Sequence, residues 1–529
     1  MAGSLHDDAE RAPLLSRPPA PAPSSHDVEE VHAEGIHTDL HRGLGQRHLA
    51  MLGIAGSIGT GLFLGLGAAV LRAGPLGALL GYATIGVLVC AVQLALAEAA
   101  ALWPLPGGFV AHADLLVDPA WGMALGWNLV YGNVLSIPGE ITAMCVLFRF
   151  WGWAEHLSPA VLIVVFIAVT LAIGMARVSV FGEVEYAFAW LKVALVIGLI
   201  VLGLAIDVGA VPGTEALGFR YWREPGPFVD FIAQGGWGRF LGYWSVMTGA
   251  VFSFAGTESI AMAAAETRNP QKAIPAACKG VFLRIFIFYM LAVFVVGLLV
   301  PSNDARLTDT PTSTAQSPFV IAASAAGIPL IPSIVNSVVI TSAWSASNQS
   351  LLAGTRVLYG LAARGHAPKV FLRTTSWGAP WVCVSFFGVF MTLSFMSLSE
   401  GALTVFWWLV SLTSAGVLIS WSAILWNHLT LRRALDAQQI PVSRLPWHNK
   451  WTVYTSKLGL VMSITILLTS GFTVFTRGNW DPNQFVSSYL DIPLVLSVFL
   501  VWKYVKKTRS VSLKEIPIME ALNKTYQDA

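Results

Sequence analysis

The sequence predicts an all-α integral membrane protein of about twelve transmembrane helices. Of its 529 residues, 55% are hydrophobic and only 12% are charged, and the mean hydropathy is +0.65. A helix needs ~20 apolar residues to cross the hydrocarbon core of a bilayer, and the chain contains many such runs separated by short polar segments. Soluble proteins are far less apolar, so lipid is the expected surrounding of this chain.

Twelve apolar segments are interpreted as membrane spans. They are residues 48–72, 76–103, 121–150, 158–176, 185–206, 240–264, 281–301, 331–355, 381–399, 403–427, 453–475 and 487–505. Residues 48–505 are therefore expected to form one transmembrane domain. Residues 1–47 are polar and lack the apolar central run of a signal peptide, so they are predicted to form a disordered cytoplasmic tail. Residues 506–529 are predicted to form a second cytoplasmic tail.

Charge and residue counts make several classes of function improbable. The formal net charge is +2, which indicates no nucleic-acid partner. The four cysteines fall singly in or beside apolar runs, without the spacing of a zinc site or of a disulfide framework. All eleven histidines fall in tails, in loops or at the ends of spans. We therefore expect neither a metal ion nor an enzymatic activity.

Basic residues are distributed unevenly between the two sides that the spans define. If the amino terminus is cytoplasmic, 24 of the 32 Lys and Arg residues lie inside, 7 lie outside, and the remaining one, Lys192, lies within the fifth span. Positive charge favours the cytoplasmic side of a membrane. Both Met1 and Ala529 are therefore expected to be cytoplasmic.

Two spans contain segments that do not favour a continuous helix. The first span has Gly56-Ser57-Ile58-Gly59-Thr60-Gly61 at its middle, and the sixth has Ser253-Phe254-Ala255-Gly256-Thr257-Glu258. Each glycine costs roughly 1 kcal/mol in a helix interior, so the first span is weakest where a helix should be strongest. The two segments lie five helices apart, and an odd number of crossings reverses orientation. This spacing predicts a five-plus-five inverted repeat with broken helices 1 and 6, followed by two further helices.

A helix that unwinds at the bilayer centre frees N–H groups and carbonyls, which need partners. A zwitterionic amino acid supplies both kinds of partner, since its carboxylate suits half-helix amino termini and its ammonium group suits carbonyls. The predicted substrate-binding residues are Gly56, Ser57, Ile58, Gly59, Thr60, Gly61, Phe254, Ala255, Gly256, Thr257 and Glu258. Close helix packing is the alternative reading of the glycines, since Gly61 and Gly65 form a small-xxx-small pair. A nucleotide-binding loop is excluded, because no strand precedes these glycines and no Lys-Ser/Thr follows them.

Four ionisable residues in the predicted spans are candidates for function: Glu98, Glu140, Lys192 and Glu258. A charge at the centre of a bilayer costs roughly 2.5 to 3.5 kcal/mol, so such residues are rarely retained without a role. Lys192 and Glu258 are the candidates for proton coupling, because a buried amine or carboxyl group can alternate between charged and neutral forms. The alternatives are that Lys192 extends to the inner interface, and that Glu98 and Glu140 pair with polar groups of neighbouring helices.

Several motifs together resemble the yeast amino acid transporter family, within the amino acid/polyamine/organocation superfamily, over residues 43 to about 517. They are GSIGTG at 56–61, AEA and PGGF within 97–109, GWN at 126–128, FAGTE at 254–258, AET and NP within 265–270, TSAWS at 341–345, RVLYGLAARGHAP at 356–368, and the run 429–438. The resemblance implies proton-coupled amino acid uptake at the fungal plasma membrane, with substrate held at the breaks of helices 1 and 6. It also implies that the family's helix-five lysine is Lys192.

The same resemblance implies the remaining partners of the protein and leaves two alternatives. The driving force would be the proton gradient, with no cofactor, and the partners would be an amino acid, protons, lipid, and trafficking and ubiquitin-ligase adaptors at the tails. The first alternative is a non-transporting amino acid sensor on the same fold, although sensors of this family carry a longer amino-terminal extension. A channel is the second, although interrupted helices suit alternating access better than an open pore.

The orientation of the chain can be tested on the segment between the fifth and sixth spans. Residues 207–239 are expected to be extracellular because of the distribution of basic residues. Cysteines introduced in this segment should react with a membrane-impermeant thiol reagent on intact cells. Unreactive cysteines there, beside a reactive cysteine in an inner segment, would reverse the predicted orientation.

Overall fold

A computed structural model describes residues 59–176, 178–262, 269–307, 317–327 and 330–527 of the chain. The predicted amino-terminal tail and the candidate residues Gly56, Ser57 and Ile58 lie outside these ranges. The α-helices of the first half are α1 Leu66–Leu102, α2 Phe109–Leu116, α3 Pro119–Phe148, α4 Pro159–Gly174, α5 Val178–Asp207, α6 Arg220–Arg223, α7 Gly235–Ser245, α8 Met247–Phe254 and α9 Ser259–Met262.

The second half of the described chain is also helical. Its α-helices are α10 Pro270–Arg284, α11 Ala292–Leu299, α12 Pro318–Ala325, α13 Ile331–Ala363, α14 Trp381–Met391, α15 Ser397–Glu400, α16 Ala402–Ala437, α17 Thr452–Thr469, α18 Pro482–Tyr489, α19 Asp491–Lys506 and α20 Ile518–Gln527. Two π-helical segments, Gly61–Gly65 and Ile285–Leu291, lead into α1 and α11. Short 3-10 turns lie at Gly152–His156, Ala305–Leu307, Lys369–Leu372, Thr392–Met396, Val442–Arg444 and Phe472–Phe475.

Each of the twelve predicted spans overlaps a described helix, although residues 48–58 of the first span and 263–264 of the sixth lie outside the described ranges. Seven helical segments are long and apolar enough to cross a membrane, or eight if α18 and α19, bent by 45° at their junction, form one span. The predicted fourth span is the 16-residue α4, and the predicted eighth is α13, whose Ser, Thr and Asn residues make it less apolar. The first two predicted spans are joined in α1, and the sixth is interrupted after α8. The chain is thus an all-α, multi-pass membrane protein, as predicted.

The junction of the first two predicted spans is a sharp kink at Gly74. Its φ of 76° lies in the left-handed region, and Pro75 follows it. A Cβ at this position would lie 2.7 Å from the carbonyl oxygen of Pro227, so a glycine is needed for steric as well as conformational reasons. The amide of Leu76 donates to that same carbonyl at 3.0 Å. The chain therefore passes from the first predicted span to the second at this kink, without an intervening loop.

Packing within the bundle separates an interior from a lipid-facing surface. The long helix α3 packs against both α13 and α16. Helices α5, α14, α17 and α19 instead expose large apolar side chains, among them Val201, Val389, Val461 and Leu500, each more than half exposed. Such a surface is stable only against lipid, because the hydrophobic effect would otherwise bury it.

The segment after α19, which the sequence analysis assigns to a tail, packs against the helix ends. Ile516, Ile518 and Leu522 join an apolar cluster with Leu102 of α1 and Leu435 of α16. The amide of Val511 donates to the carbonyl of Val117 at 2.9 Å, and Gln438 Nε2 donates to the carbonyls of Leu513 and Ile516. Both backbone and side-chain contacts therefore hold this segment in place.

Asp118 is the polar centre of this contact. Its carboxylate accepts hydrogen bonds from the backbone amide of Ala120, from the hydroxyls of Thr508 and Ser510, and from Lys503 Nζ. Burial raises the pKa of this carboxyl group, but the hydrogen bonds from Lys503, Ala120 and Thr508 outweigh that effect and keep the pKa below its ordinary value. The stabilisation is therefore lost when the pH falls through that lowered pKa.

Replacing Asp118 should release the carboxy-terminal segment. Asp481 is a matched control, because it also precedes a proline and also caps its helix. Its carboxylate accepts a 2.9 Å hydrogen bond from the backbone amide of Asn483, two residues later. Loss of a helix cap alone costs roughly 1 kcal/mol, whereas hydrogen bonds to a buried charge add about 1.5 to 3 kcal/mol. Asp118→Ala should therefore lower the melting temperature more than Asp481→Ala and expose residues 508–527 to protease. Equal effects of the two substitutions would contradict this role.

Candidate functional site

The interruption of the sixth span lies between α8 and α9. Helix α8 ends at Phe254, residues 255–258 form a turn, and α9 begins at Ser259. Gly256 has a φ of 86°, which a residue with a side chain adopts only at a cost. The predicted break of this helix is therefore present, and the glycine that makes it possible is the one identified from the sequence.

Side chains from other helices form hydrogen bonds with the backbone groups that the break leaves without a partner in their own helix. The Tyr289 hydroxyl donates to the carbonyl of Ser253 at 2.7 Å, and Gln93 Nε2 of α1 donates to the carbonyl of Thr257 at 3.0 Å. An unpaired carbonyl at this depth would cost several kcal/mol, because lipid offers no donor. Gln93 was not among the predicted functional residues, although a lone glutamine within an apolar run is a signal that could have indicated it.

Glu258, the last residue of the turn, accepts two hydrogen bonds through its carboxylate. One carboxylate oxygen accepts a 3.4 Å hydrogen bond from the amide of Gly256, and the other accepts a 3.2 Å bond from Trp421 Nε1 of α16. The side chain is buried, with 8% exposed. Capping of a freed backbone N–H group is therefore the role of Glu258 that the geometry displays.

The described end of the first span contacts both α3 and α8. Thr60 Oγ1 donates to Glu140 Oε2 at 2.9 Å. A Cβ at Gly59 would lie 3.0 Å from Glu140 Oε1, and a Cβ at Gly61 would lie 2.8 Å from the Cα of Ser253. The close approach at Gly61 supports the packing interpretation for that glycine, whereas Gly59 faces a carboxylate.

Lys192 lies at the centre of a buried polar network. Its side chain is 1% exposed and interacts electrostatically with Glu185 and Glu140. This burial is contrary to the alternative in which Lys192 extends to the membrane interface. Through Glu140 and Thr60, Lys192 is linked to the described end of the first span.

Glu185 is a member of this network that the sequence analysis missed. Its carboxylate accepts hydrogen bonds from Ser345 Oγ at 2.6 Å and from Gln349 Nε2 at 3.0 Å, both on α13. Glu185 precedes Lys192 by seven residues, which places the two side chains on the same face of α5. It was overlooked because it stands at the predicted start of the fifth span, where a charge is common.

Glu98 belongs to a different cluster, where α1 meets α16 and α17. Arg432 Nη2 donates to Glu98 Oε2 at 2.8 Å, and His428 Nε2 lies 3.1 Å from Glu98 Oε1. The other ring nitrogen of His428 lies 2.9 Å from Ser456 Oγ. This is the pairing with neighbouring helices that the sequence analysis gave as one reading of Glu98.

The arrangement thus combines interrupted backbone with buried charge. One glutamate, Glu140, contacts the first span and also acts on Lys192, while Glu258 and Trp421 flank the break in the sixth span. Among the residues that the structure describes, no group of three or more His, Cys, Asp and Glu side chains is placed to hold a metal ion. These features provide hydrogen-bonding groups and titratable groups within the membrane.

Comparison with known proteins identifies the family. Residues 48–515 match the amino acid permease family. The dicarboxylic amino acid permease of Saccharomyces cerevisiae is 34% identical, over 94% of this chain and 83% of the relative. The proline-specific permease of Emericella nidulans is 34% identical over 88% and 85%, and the general amino-acid permease of S. cerevisiae is 33% identical over 92% and 80%.

A solved structure supports the fold independently of sequence. The manganese transporter of Eremococcus coleocola aligns with a TM-score of 0.54 at 12% identity, over 95% of this chain and 97% of that one. A likeness at this identity shows the fold alone, and it confirms the predicted fold class. Together with the family match and the apolar helices, it shows that the chain is a multi-pass membrane protein that belongs to the amino acid permease family.

Proposed function

We propose that the protein is a proton-coupled symporter that imports amino acids across the plasma membrane by alternating access. The observation that carries this proposal is the linkage of Thr60, Glu140 and Lys192, which connects the first span to a buried amine. Its partners would be the amino acid, protons and lipid, with trafficking and ubiquitin-ligase adaptors at two cytoplasmic tails. The names of the relatives, which cover dicarboxylic amino acids, proline and amino acids in general, support an amino acid as the substrate.

Coupling requires a group whose charge changes when the substrate site switches from being open to one side of the membrane to being open to the other. Charged, Lys192 would hold α5 towards Glu140 and the first span; neutral, it would release that contact and favour the inward-open state. A proton entering along the membrane potential gains ~2.3 kcal/mol per 100 mV, which is the free energy available for concentrating substrate. The buried carboxylate of Glu185 would position the amine in its charged form.

Substrate would be held at the breaks of the first and sixth spans. Gly56, Ser57, Ile58, Gly59, Thr60 and Gly61 would offer backbone groups to the carboxylate, and the turn from Phe254 to Glu258 would face the ammonium group. Because the hydrogen bonds of Glu258 fix that turn, the residue would shape the site even where it does not itself exchange a proton. Uptake of labelled glutamate, proline, leucine and arginine by a permease-deficient yeast strain tests this proposal, since a sensor on the same fold would not accumulate substrate.

Lys192→Ala should abolish concentrative uptake and retain exchange of amino acid across the membrane. The reason is that exchange needs the substrate site to alternate but does not need a proton to be carried. Uptake should be measured against pH at matched surface levels, with the exposed Lys369→Ala as the control. Unchanged accumulation and an unchanged pH profile in Lys192→Ala would remove this residue from the mechanism.

Gly59→Ala and Gly61→Ala should separate substrate handling from packing. The added methyl group at Gly59 would meet the end of the flexible Glu140 side chain, whereas at Gly61 it would meet the backbone of α8. Gly59→Ala should reach the cell surface yet lose roughly tenfold in uptake, a change of ~1.4 kcal/mol. Gly61→Ala should reduce stability by about 1 to 3 kcal/mol and lower surface delivery. Normal uptake in Gly59→Ala would contradict a role in transport for the contact between Gly59 and Glu140.

A further inference from the structure

A second buried carboxyl group lies away from the helix breaks, where α3, α16 and α19 meet. Asp491 is the first residue of α19, and its side chain is 0% exposed. The residue lies inside the last predicted span, and the sequence analysis did not single it out. Neither of its carboxylate oxygens has a hydrogen-bond partner of ordinary length among the described residues. A buried acidic group without such partners requires a physical explanation.

Asn128 of α3 presents a second unpaired oxygen at the same place. Its Nδ2 donates to the carbonyl of Gly416 at 2.9 Å and to Ser420 Oγ at 3.1 Å. These two bonds fix the orientation of the amide, so its carbonyl oxygen must point elsewhere. Asn128 is 2% exposed, and its Oδ1 also lacks a hydrogen-bond partner.

Gly416 shows that the two oxygens occupy one small space. A Cβ built on this glycine of α16 would lie 3.4 Å from Asn128 Oδ1 and 3.4 Å from Asp491 Oδ2. Both oxygens therefore lie over the same point of the α16 surface. The absence of a side chain at Gly416 leaves room for them, and a methyl group would crowd both.

The charges of the neighbouring groups determine what can occupy the space between these two oxygens. Two acceptor oxygens in one small space repel unless a proton lies between them, and an ionised carboxylate that is buried without a cation carries a large desolvation cost. The polar groups that act on Asp491 are the Tyr131 hydroxyl from α3 and the Gly416 amide from α16. Neither is a cation, and no Lys, Arg or His pairs with Asp491 among the described salt bridges.

We propose that Asp491, Asn128 and Tyr131 form a proton-binding site between α3, α16 and α19. The bound proton lies on the Asp491 carboxyl group, whose O–H donates to Asn128 Oδ1, and the Tyr131 hydroxyl supplies a further polar contact. With this proton bound, one of the two acceptor oxygens becomes part of a donor group that pairs with the other. The resulting hydrogen bond links α19 to α3, and the carboxyl group stays neutral within the membrane. This site does not depend on the proposed substrate or on Lys192.

Infrared spectroscopy of the purified, full-length protein tests where the proton lies. At neutral pH, Asp491→Asn should remove intensity equal to one carboxyl group from the absorption of protonated carboxyl groups. Asp481→Asn is the matched control, because it makes the same chemical change at an exposed helix cap, and it should instead remove carboxylate intensity. If Asp491→Asn removes carboxylate intensity, Asp491 is ionised and the proposal is overturned.

A second variant keeps the test decisive if Asp491→Asn does not fold. Asn128→Leu removes the acceptor, so it should shift the frequency of the same protonated-carboxyl band without removing it. An unshifted band would overturn the predicted hydrogen bond. The wild-type protein also tests the rival occupant of the space, a monovalent cation.

A bound cation would make the stability of the wild-type protein depend on that cation. We expect the melting temperature to be the same in sodium, potassium and choline chloride at equal ionic strength. A proton held by the folded protein and released on unfolding should make stability fall as the pH rises, and Asp491→Asn should reduce that slope. Stabilisation by sodium or potassium in the wild type, absent from Asp491→Asn, would replace the proton with a cation and overturn the proposal.

Discussion

Lipid offers no hydrogen-bond partners, so every backbone group that the interruption of the sixth span sets free must be paired by the protein itself. This constraint explains why polar side chains gather around Gly256. Tyr289 and Gln93 donate to carbonyls next to the break, and Glu258 accepts from the amide of Gly256. Tyr289 and Gln93 belong to other helical segments, so the break is maintained by the assembled bundle as well as by the local sequence.

The buried charges near the first span follow from the same constraint. Glu140, Glu185 and Lys192 lie on α3 and α5, where each would be costly in isolation, and their mutual interaction offsets part of that cost. Helix α13 contributes Ser345 and Gln349 to the same group through the carboxylate of Glu185. Three helices, α3, α5 and α13, are therefore connected through one group of buried polar side chains.

Two other polar clusters perform a different task, which is to fix the ends of the long helices. Glu98 joins α1 to α16 through Arg432, and Asp118 joins the start of α3 to the segment that follows α19. Both carboxylates have cationic partners. Asp491 is also buried where helices meet, but it faces an amide oxygen instead of a cation, and this difference is the reason for assigning it a proton.

The sequence by itself determined the features that depend on local composition. Membrane spans are defined by runs of apolar residues, and the weak point of the sixth helix is defined by Gly256, so both were predictable from a single chain. The kink at Gly74, which joins two spans without a loop, was not predicted, because it depends on the contact with Pro227. Only the tertiary structure decided which polar residues are buried and with what partner. Glu185 and Asp491 lie near the ends of predicted spans, where a charge ordinarily reaches water, and it is the packing of α13 on α5 and of α19 on α3 and α16 that encloses them.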